Sequence, residues 1–295
     1  MKEYSLAVID DSPDDCFAIT RQLSKDPHHR YRVESFHSLK AGVDALNQAD
    51  FDLFLVDLDL GGESGMDLLR HARDLAIPKP VVIVTGNDNP AVDMEALDLG
   101  ATDFINKNEI NTQTLSRTIR HAITRKAHEI KLQFAANHDG LTRLAHKHHF
   151  EQEFERALAR HQRNGNQLAL VLLDLNKFKP VNDQHGHQAG DHVLQTVAER
   201  LSQWVRGGDL VGRLGGDEFG ILLEDIDPST KLEPLLADIR EKIAEPISYS
   251  DYHIQITSSA GVATFPNDGH QSSQLFETAD GRMYLEKGQR ATSTN

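Results

Sequence analysis

Five times between residues 4 and 107, a short apolar run gives way to an amphipathic stretch, and this alternation limits the fold more than any other feature of the chain. The run at 4–9 is apolar and alternates little, as a parallel strand buried on both faces should, and 31–36, 51–56, 81–84 and 102–105 read as further strands. Between them, Phe17, Ile19 and Leu23 and then Leu39, Val43 and Leu46 recur at helical spacing. Residues 64–75 and 91–99 read as two further helices, and Ser12 or Asp14 would cap the first. The pattern predicts a doubly wound α/β domain, a parallel sheet with helices on both faces.

Sheets of this kind bind ligands beyond the carboxyl ends of their strands. Asp10, Asp11, Asp57, Thr85 and Lys107 all fall at those ends. Three carboxylates suit Mg²⁺, which prefers oxygen ligands and keeps waters for a phosphate. A carboxylate such as Asp57 can attack phosphorus, while Lys107 and Thr85 can hold phosphoryl oxygens. Residues in this order resemble the flavodoxin-like receiver domains of response regulators, over residues 1–125. The resemblance implies that Asp57 is the phosphoacceptor and that Asp10, Asp11 and Asp57 hold Mg²⁺. It also implies a switch formed by Thr85, Phe104 and Lys107, and a cognate histidine kinase or other phosphodonor. Two positions depart from the receiver pattern: Gly61 stands where proline is usual, and Asn108 follows Lys107 in place of proline. Both are expected to loosen loops beside the site.

The net charge of −14, from 31 basic and 45 acidic residues, argues against a nucleic-acid or anionic-membrane footprint. No run approaches the roughly 18 apolar residues of a membrane span. The single cysteine, Cys16, reads as a small core residue of a protein in a reducing compartment, and a cytoplasmic location is expected.

Residues 112–137 lack proline and glycine, and Leu115, Ile119, Ile123, Ala127, Ile130 and Phe134 form one helical stripe. A long helix should close the first domain and continue over 126–137, either as a stalk pairing with a second copy, the favoured reading, or packed on its own domain. A second domain is expected over 138–295. Helices at 150–163, 179–200, 232–243 and 272–287, with strands at 168–173, 210–214, 219–223 and 254–263, predict a mainly antiparallel α+β fold. Gly215-Gly216 between two apolar runs reads as a hairpin turn carrying the adjacent acids Asp217 and Glu218. A further acid, Asp174, ends the apolar run at 167–173. His146, His148 and His149 read as a solvated helix end, since no nearby acid or cysteine completes a metal set.

Gly215-Gly216-Asp217-Glu218-Phe219 is the GGDEF signature of diguanylate cyclases. The segments 174–179 and 182–191, and the entry Asp139-Gly140-Leu141-Thr142, are similar to the same family's other motifs. The resemblance covers about residues 138–290 and implies a nucleotidyl-cyclase-like fold. It implies a nucleotidyltransferase that joins two GTP molecules into cyclic di-GMP with release of two pyrophosphates. On that reading Asp174, the Leu175 carbonyl, Asp217 and Glu218 hold Mg²⁺, and Asp217 with Glu218 is catalytic. Phe178, Lys179, Gly215, Gly216 and Lys287 would bind substrate, and Asn182 and Asp191 would read guanine. Arg206 and Asp209, joined by Arg213, resemble an inhibitory RxxD site for the product. One site holds one GTP, so a homodimer is implied, controlled by phosphorylation of Asp57. The chain departs from the family over 143–148, at Asn176, and in the C-terminal helix, where Arg290 falls one residue early. A module that binds GTP or cyclic di-GMP with weak or no catalysis, or a phosphorylation-driven scaffold, is the alternative.

Overall fold

A computed structural model describes residues 2–48, 50–86, 90–227 and 229–292. The chain forms two compact units, residues 1–133 and 134–295. In the first, the order is β1 (Lys2–Ile9), α1 (Pro13–Leu23), β2 (His29–Phe36), α2 (Leu39–Asn47) and β3 (Leu53–Asp57). A small ribbon, β4 (Asp59–Leu60) with β5 (Glu63–Ser64), leads into α3 (Gly65–Asp74). Then come β6 (Val81–Thr85), α4 (Pro90–Asp98), β7 (Asp103–Asn106) and α5 (Thr112–Asn137), which ends in the second unit.

The strands pair in parallel in the order β2-β1-β3-β6-β7. The interior strands β3 and β6 are buried on both faces and read as apolar runs, whereas the edge strands β2 and β7 carry charged residues and are partly exposed. Ala7 and Ile9 of β1 join one core with Phe54, Val56 and Ile83. Leu6 and Val8 face the other core, with Leu55, Val84, Leu115 and Ile119. Ser12 caps α1, accepting the Asp15 N–H at 3.3 Å. Phe17, which the helical spacing placed among the apolar positions of α1, faces solvent at 67% exposure. Along α5, Leu115, Ile119 and Ala122 are buried, whereas Ile130 and Leu132 are exposed.

The second unit contains β8 (Ala145–His146), α6 (Lys147–Asn164), β9 (Gln167–Asn176), α7 (Phe178–His185) and α8 (His187–Trp204). The hairpin β10 (Leu210–Gly215) and β11 (Glu218–Ile226) follows, then α9 (Leu232–Ala244), β12 (Ile247–Tyr249), β13 (Tyr252–Ile254), β14 (Thr257–Phe265) and α10 (Ser272–Thr292). The sheet order is β14-β9-β11-β10-β8, antiparallel except for β8 beside β10. β9, an interior strand, is covered on both faces: Ala169, Val171, Leu173 and Leu175 enter one core, and Leu168, Leu170 and Leu172 the other. The strand expected over 254–263 is instead two, β13 and β14, separated at Gln255-Ile256, and β13 pairs with β12 apart from the main sheet.

Candidate functional site

At the carboxyl ends of β1 and β3, Asp10, Asp11 and Asp57 each bring a carboxylate oxygen within 4.8 Å of the others. Asp10 and Asp57 are buried, and Asp11 is exposed. The Lys107 ammonium donates to Asp10 at 2.9 Å, Asp57 at 2.8 Å and Asp15 at 2.6 Å. Burial pushes the Asp57 carboxyl up, outweighing the Lys107 bond. For Lys107, burial works against the charge, but its three carboxylate partners hold the ammonium above the usual lysine range. Asp11, Asp57, Thr85 and Lys107 line one cleft of about 720 Å³ with Gly61 and Gly62. Phe104 lies on β7, 38% exposed. A cluster of carboxylates, buried at Asp10 and Asp57 and matched by the Lys107 ammonium, is chemically suited to an additional hard cation. Asp15 was missed by sequence reasoning. It sits in the first turn of α1, and only the fold carries it to the strand ends.

In the second unit, Gly215 has φ +154° and Gly216 has φ +50°, and with Asp217 they close the β10–β11 hairpin. Glu218 lies in register with Asp174 on β9, so the acids of two separate motifs become cross-strand neighbours. The Leu175 N–H donates to the Asp217 carbonyl at 3.2 Å, tying the turn to β9. Asp174 does not end its strand; β9 continues to Asn176. Lys287, from α10, lies 2.7 Å from Asp174 Oδ1 and donates to Oδ2 at 2.8 Å. The Asp174 bond, with the charges of Asp217 and Glu218, holds the Lys287 ammonium above its ordinary range. Asp174 Oδ1 is buried, and the Lys287 ammonium at 2.7 Å is the cation it faces.

Helix α7 starts at Phe178 behind Lys177, which takes φ +59° and supplies no side-chain cap. Lys179 is exposed in its first turn. Asn182 lies against Gly190: a Cβ there would sit 1.9 Å from its Oδ1, so the missing side chain brings Asn182 beside the turn that carries Asp191. Arg206 bonds the carbonyls of Glu224 and Asp225 and lies 3.5 Å from Asp209. Asp209 accepts the Arg206 and Glu224 N–H groups. Arg213 has other partners. It donates to the Gly216 carbonyl at 2.8 Å and to Asp139 at 3.1 Å, bracing the hairpin tip against the start of the unit. His146 caps α6, as a helix-end histidine would. The side chain of Arg290 lies outside the described residues.

Comparison with known proteins places both sites in families. A response regulator receiver domain matches residues 6–120, and the diguanylate cyclase GGDEF domain matches residues 136–293. The diguanylate cyclase TpbB of Pseudomonas aeruginosa is 37% identical over 159 residues, 54% of this chain and 37% of that protein. The bifunctional diguanylate cyclase/cyclic di-GMP phosphodiesterase MucR of the same species is 37% identical over 154 residues, 52% of this chain and 22% of that protein. The chain thus spans well under half the length of either. The coiled coil and GGDEF domain of DgcB from Caulobacter crescentus, solved in complex with c-di-GMP, is 27% identical with a TM-score of 0.55. That match covers 59% of this chain and 93% of the DgcB chain. The chain belongs to the diguanylate cyclase GGDEF-domain family and carries a response regulator receiver domain ahead of that domain.

Proposed function

We propose that the protein is a diguanylate cyclase that condenses two GTP into cyclic di-GMP and two pyrophosphates, under control of phosphorylation at Asp57. The observation that carries this reading is the meeting of Asp174, Asp217, Glu218 and Lys287 at one end of the second sheet. Asp174, the Leu175 carbonyl, Asp217 and Glu218 would hold Mg²⁺, a set of hard oxygens. When bound, the ion neutralises the triphosphate. Lys287 and Lys179 add positive charge for the phosphates, and the uncapped start of α7 turns backbone amides toward them. Asn182 and Asp191 would read guanine, because a carboxylate that accepts two N–H groups rejects adenine. Each 3′-hydroxyl attacks the α-phosphorus of the other GTP; the P–O bond to pyrophosphate breaks, and Asp217 accepts the hydroxyl proton.

One site presents one nucleotide, so two copies must face each other in a homodimer. The exposed Ile130 and Leu132 of α5 are apolar groups suited to pairing. In the first unit Asp57 is the phosphoacceptor, Asp10, Asp11 and Asp57 hold Mg²⁺, and Lys107, Thr85 and Phe104 answer to the phosphoryl group from a kinase or small phosphodonor. Arg206 and Asp209 would bind product at an inhibitory site.

The test is incubation of the full chain with GTP and Mg²⁺, with and without beryllofluoride, followed by chromatography of nucleotides. Cyclic di-GMP that rises with beryllofluoride is expected, and Asp174→Asn should abolish it. GTP binding without product would replace the cyclase reading with a nucleotide receptor, and neither would leave a phosphorylation-driven scaffold.

A further inference from the structure

The C-terminal helix carries two charged residues that the cyclase chemistry does not use, Arg282 and Glu286. Both reach the same strand. Arg282 Nη1 donates to the Val262 carbonyl at 2.6 Å, and Glu286 Oε2 accepts the Ala260 N–H at 2.8 Å. Strand β14 is an edge strand of the sheet, so alternate residues leave backbone groups without a ladder partner. The step from 282 to 286 rises about 6 Å along a helix, and the step from 262 to 260 about 6.8 Å along a strand. The two rungs therefore match in length, with helix and strand running in opposite directions.

The rungs are built into a close contact. A Cβ on Gly261, between the two strand residues, would lie 1.9 Å from the Ala279 carbonyl, so α10 rests directly on the β14 backbone. Each rung is also anchored by an ion pair. Arg282 bonds Asp268 at 2.7 Å, and Glu286 accepts from Arg240 of α9 at 2.7 Å. The residue after Glu286 is Lys287, whose ammonium meets Asp174, and Asp174 lies in register with Ser259, the neighbour of Ala260.

We propose that Arg282 and Glu286 are positioning residues that fix the register of α10 on the edge of β14 and so place the Lys287 ammonium at the phosphate side of the nucleotide site. A slip of α10 by one residue would rotate Lys287 by about 100° away from Asp174. The proposal rests on the reading of this end of the sheet as a GTP site.

The test is calorimetric titration of the full chain with Mg²⁺ and 3′-deoxy-GTP, which lacks the attacking hydroxyl and cannot cyclise. Glu286→Ala should weaken binding about tenfold, the scale of one lost charged hydrogen bond, and speed exchange of the Ala260 amide. Glu286→Gln keeps an acceptor for that amide and should stay within about threefold of the unaltered chain. In a Lys287→Met background, Glu286→Ala should add little, because the group it places is gone. Arg282→Ala, which removes the other rung, carries the same double-variant comparison should Glu286→Ala fail to fold. Unchanged affinity in Glu286→Ala, or an equal loss with and without Lys287, overturns the proposal. Absence of binding by the unaltered chain refutes the GTP reading itself.

Discussion

Replacing Lys107 by methionine tests the receiver site most directly. Its ammonium is the cation at hydrogen-bond distance from both Asp10 and Asp57, whose side chains are 1% and 8% exposed. Breaking a buried ion pair by removing one partner costs about 3–5 kcal/mol, since the remaining charge is stranded. Here the cluster opens onto a cleft and Asp15 is 43% exposed, so water relieves part of the penalty. The expected loss is about 2–3 kcal/mol in EDTA. Mg²⁺ should return most of it, because a ligand at a hundred times its Kd stabilises by about 2.7 kcal/mol. Acid should help as well. The Asp57 carboxyl, already pushed up by burial, rises further without the ammonium. A carboxyl whose folded pKa exceeds its unfolded value stabilises most below the unfolded pKa and loses that contribution as pH climbs through the folded one. Urea unfolding of the full chain, read by exchange of the β3 amides, measures all three effects. A loss below about 1 kcal/mol in EDTA, or no greater Mg²⁺ stabilisation than in the unaltered chain, would refute the view that Lys107 substitutes for a cation.

Three further perturbations follow from local geometry. Gly61→Pro restores the residue usual in receivers, yet Gly61 has φ +68° and proline needs about −65°, so a loss of about 1–3 kcal/mol is expected in urea unfolding. The Asp26 side chain is 4% exposed, with bonds from Ser116 at 2.5 Å, the His28 N–H at 2.8 Å and Tyr31 at 3.0 Å; these outweigh desolvation and hold its carboxyl well below the usual range. Burial in turn pushes the Tyr31 phenol up to about 12, so it stays a donor. Asp26→Asn should therefore cost about 2–3 kcal/mol at neutral pH, and the difference from the unaltered chain should shrink as pH falls below about 4 toward the folded pKa. Arg213→Ala removes the brace between Asp139 and the Gly216 carbonyl, and cyclic di-GMP formation at saturating GTP should fall about tenfold while the thermal midpoint shifts by a few degrees.

Burial on both faces of a sheet writes itself into a sequence, and the legible parts of this fold are those it governs. The apolar runs within β1, β3, β6 and β9 arise because successive residues meet cores on alternate faces. The acids that punctuate them, Asp10, Asp57 and Asp174, stood out for the same reason: charge has no place in such a run unless something pairs with it. Helix surfaces carry no comparable mark. Phe17 has helical spacing yet faces solvent, and Asp15, equally ordinary in sequence, reaches Lys107 across 92 residues of chain. Arg213 stands seven residues from Arg206, and nearness suggested a shared site. In the structure Arg206 bonds the Glu224 and Asp225 carbonyls and Arg213 the hairpin tip, partners that no spacing along the chain announces. The bonds of Glu286 and Arg282 to Ala260 and Val262 left no trace in the sequence, because a backbone group has no residue type to recognise. A side chain that bonds main chain is invisible to side-chain patterns, so a charged residue on a helix packed against a sheet edge is best judged by which strand atoms it can reach.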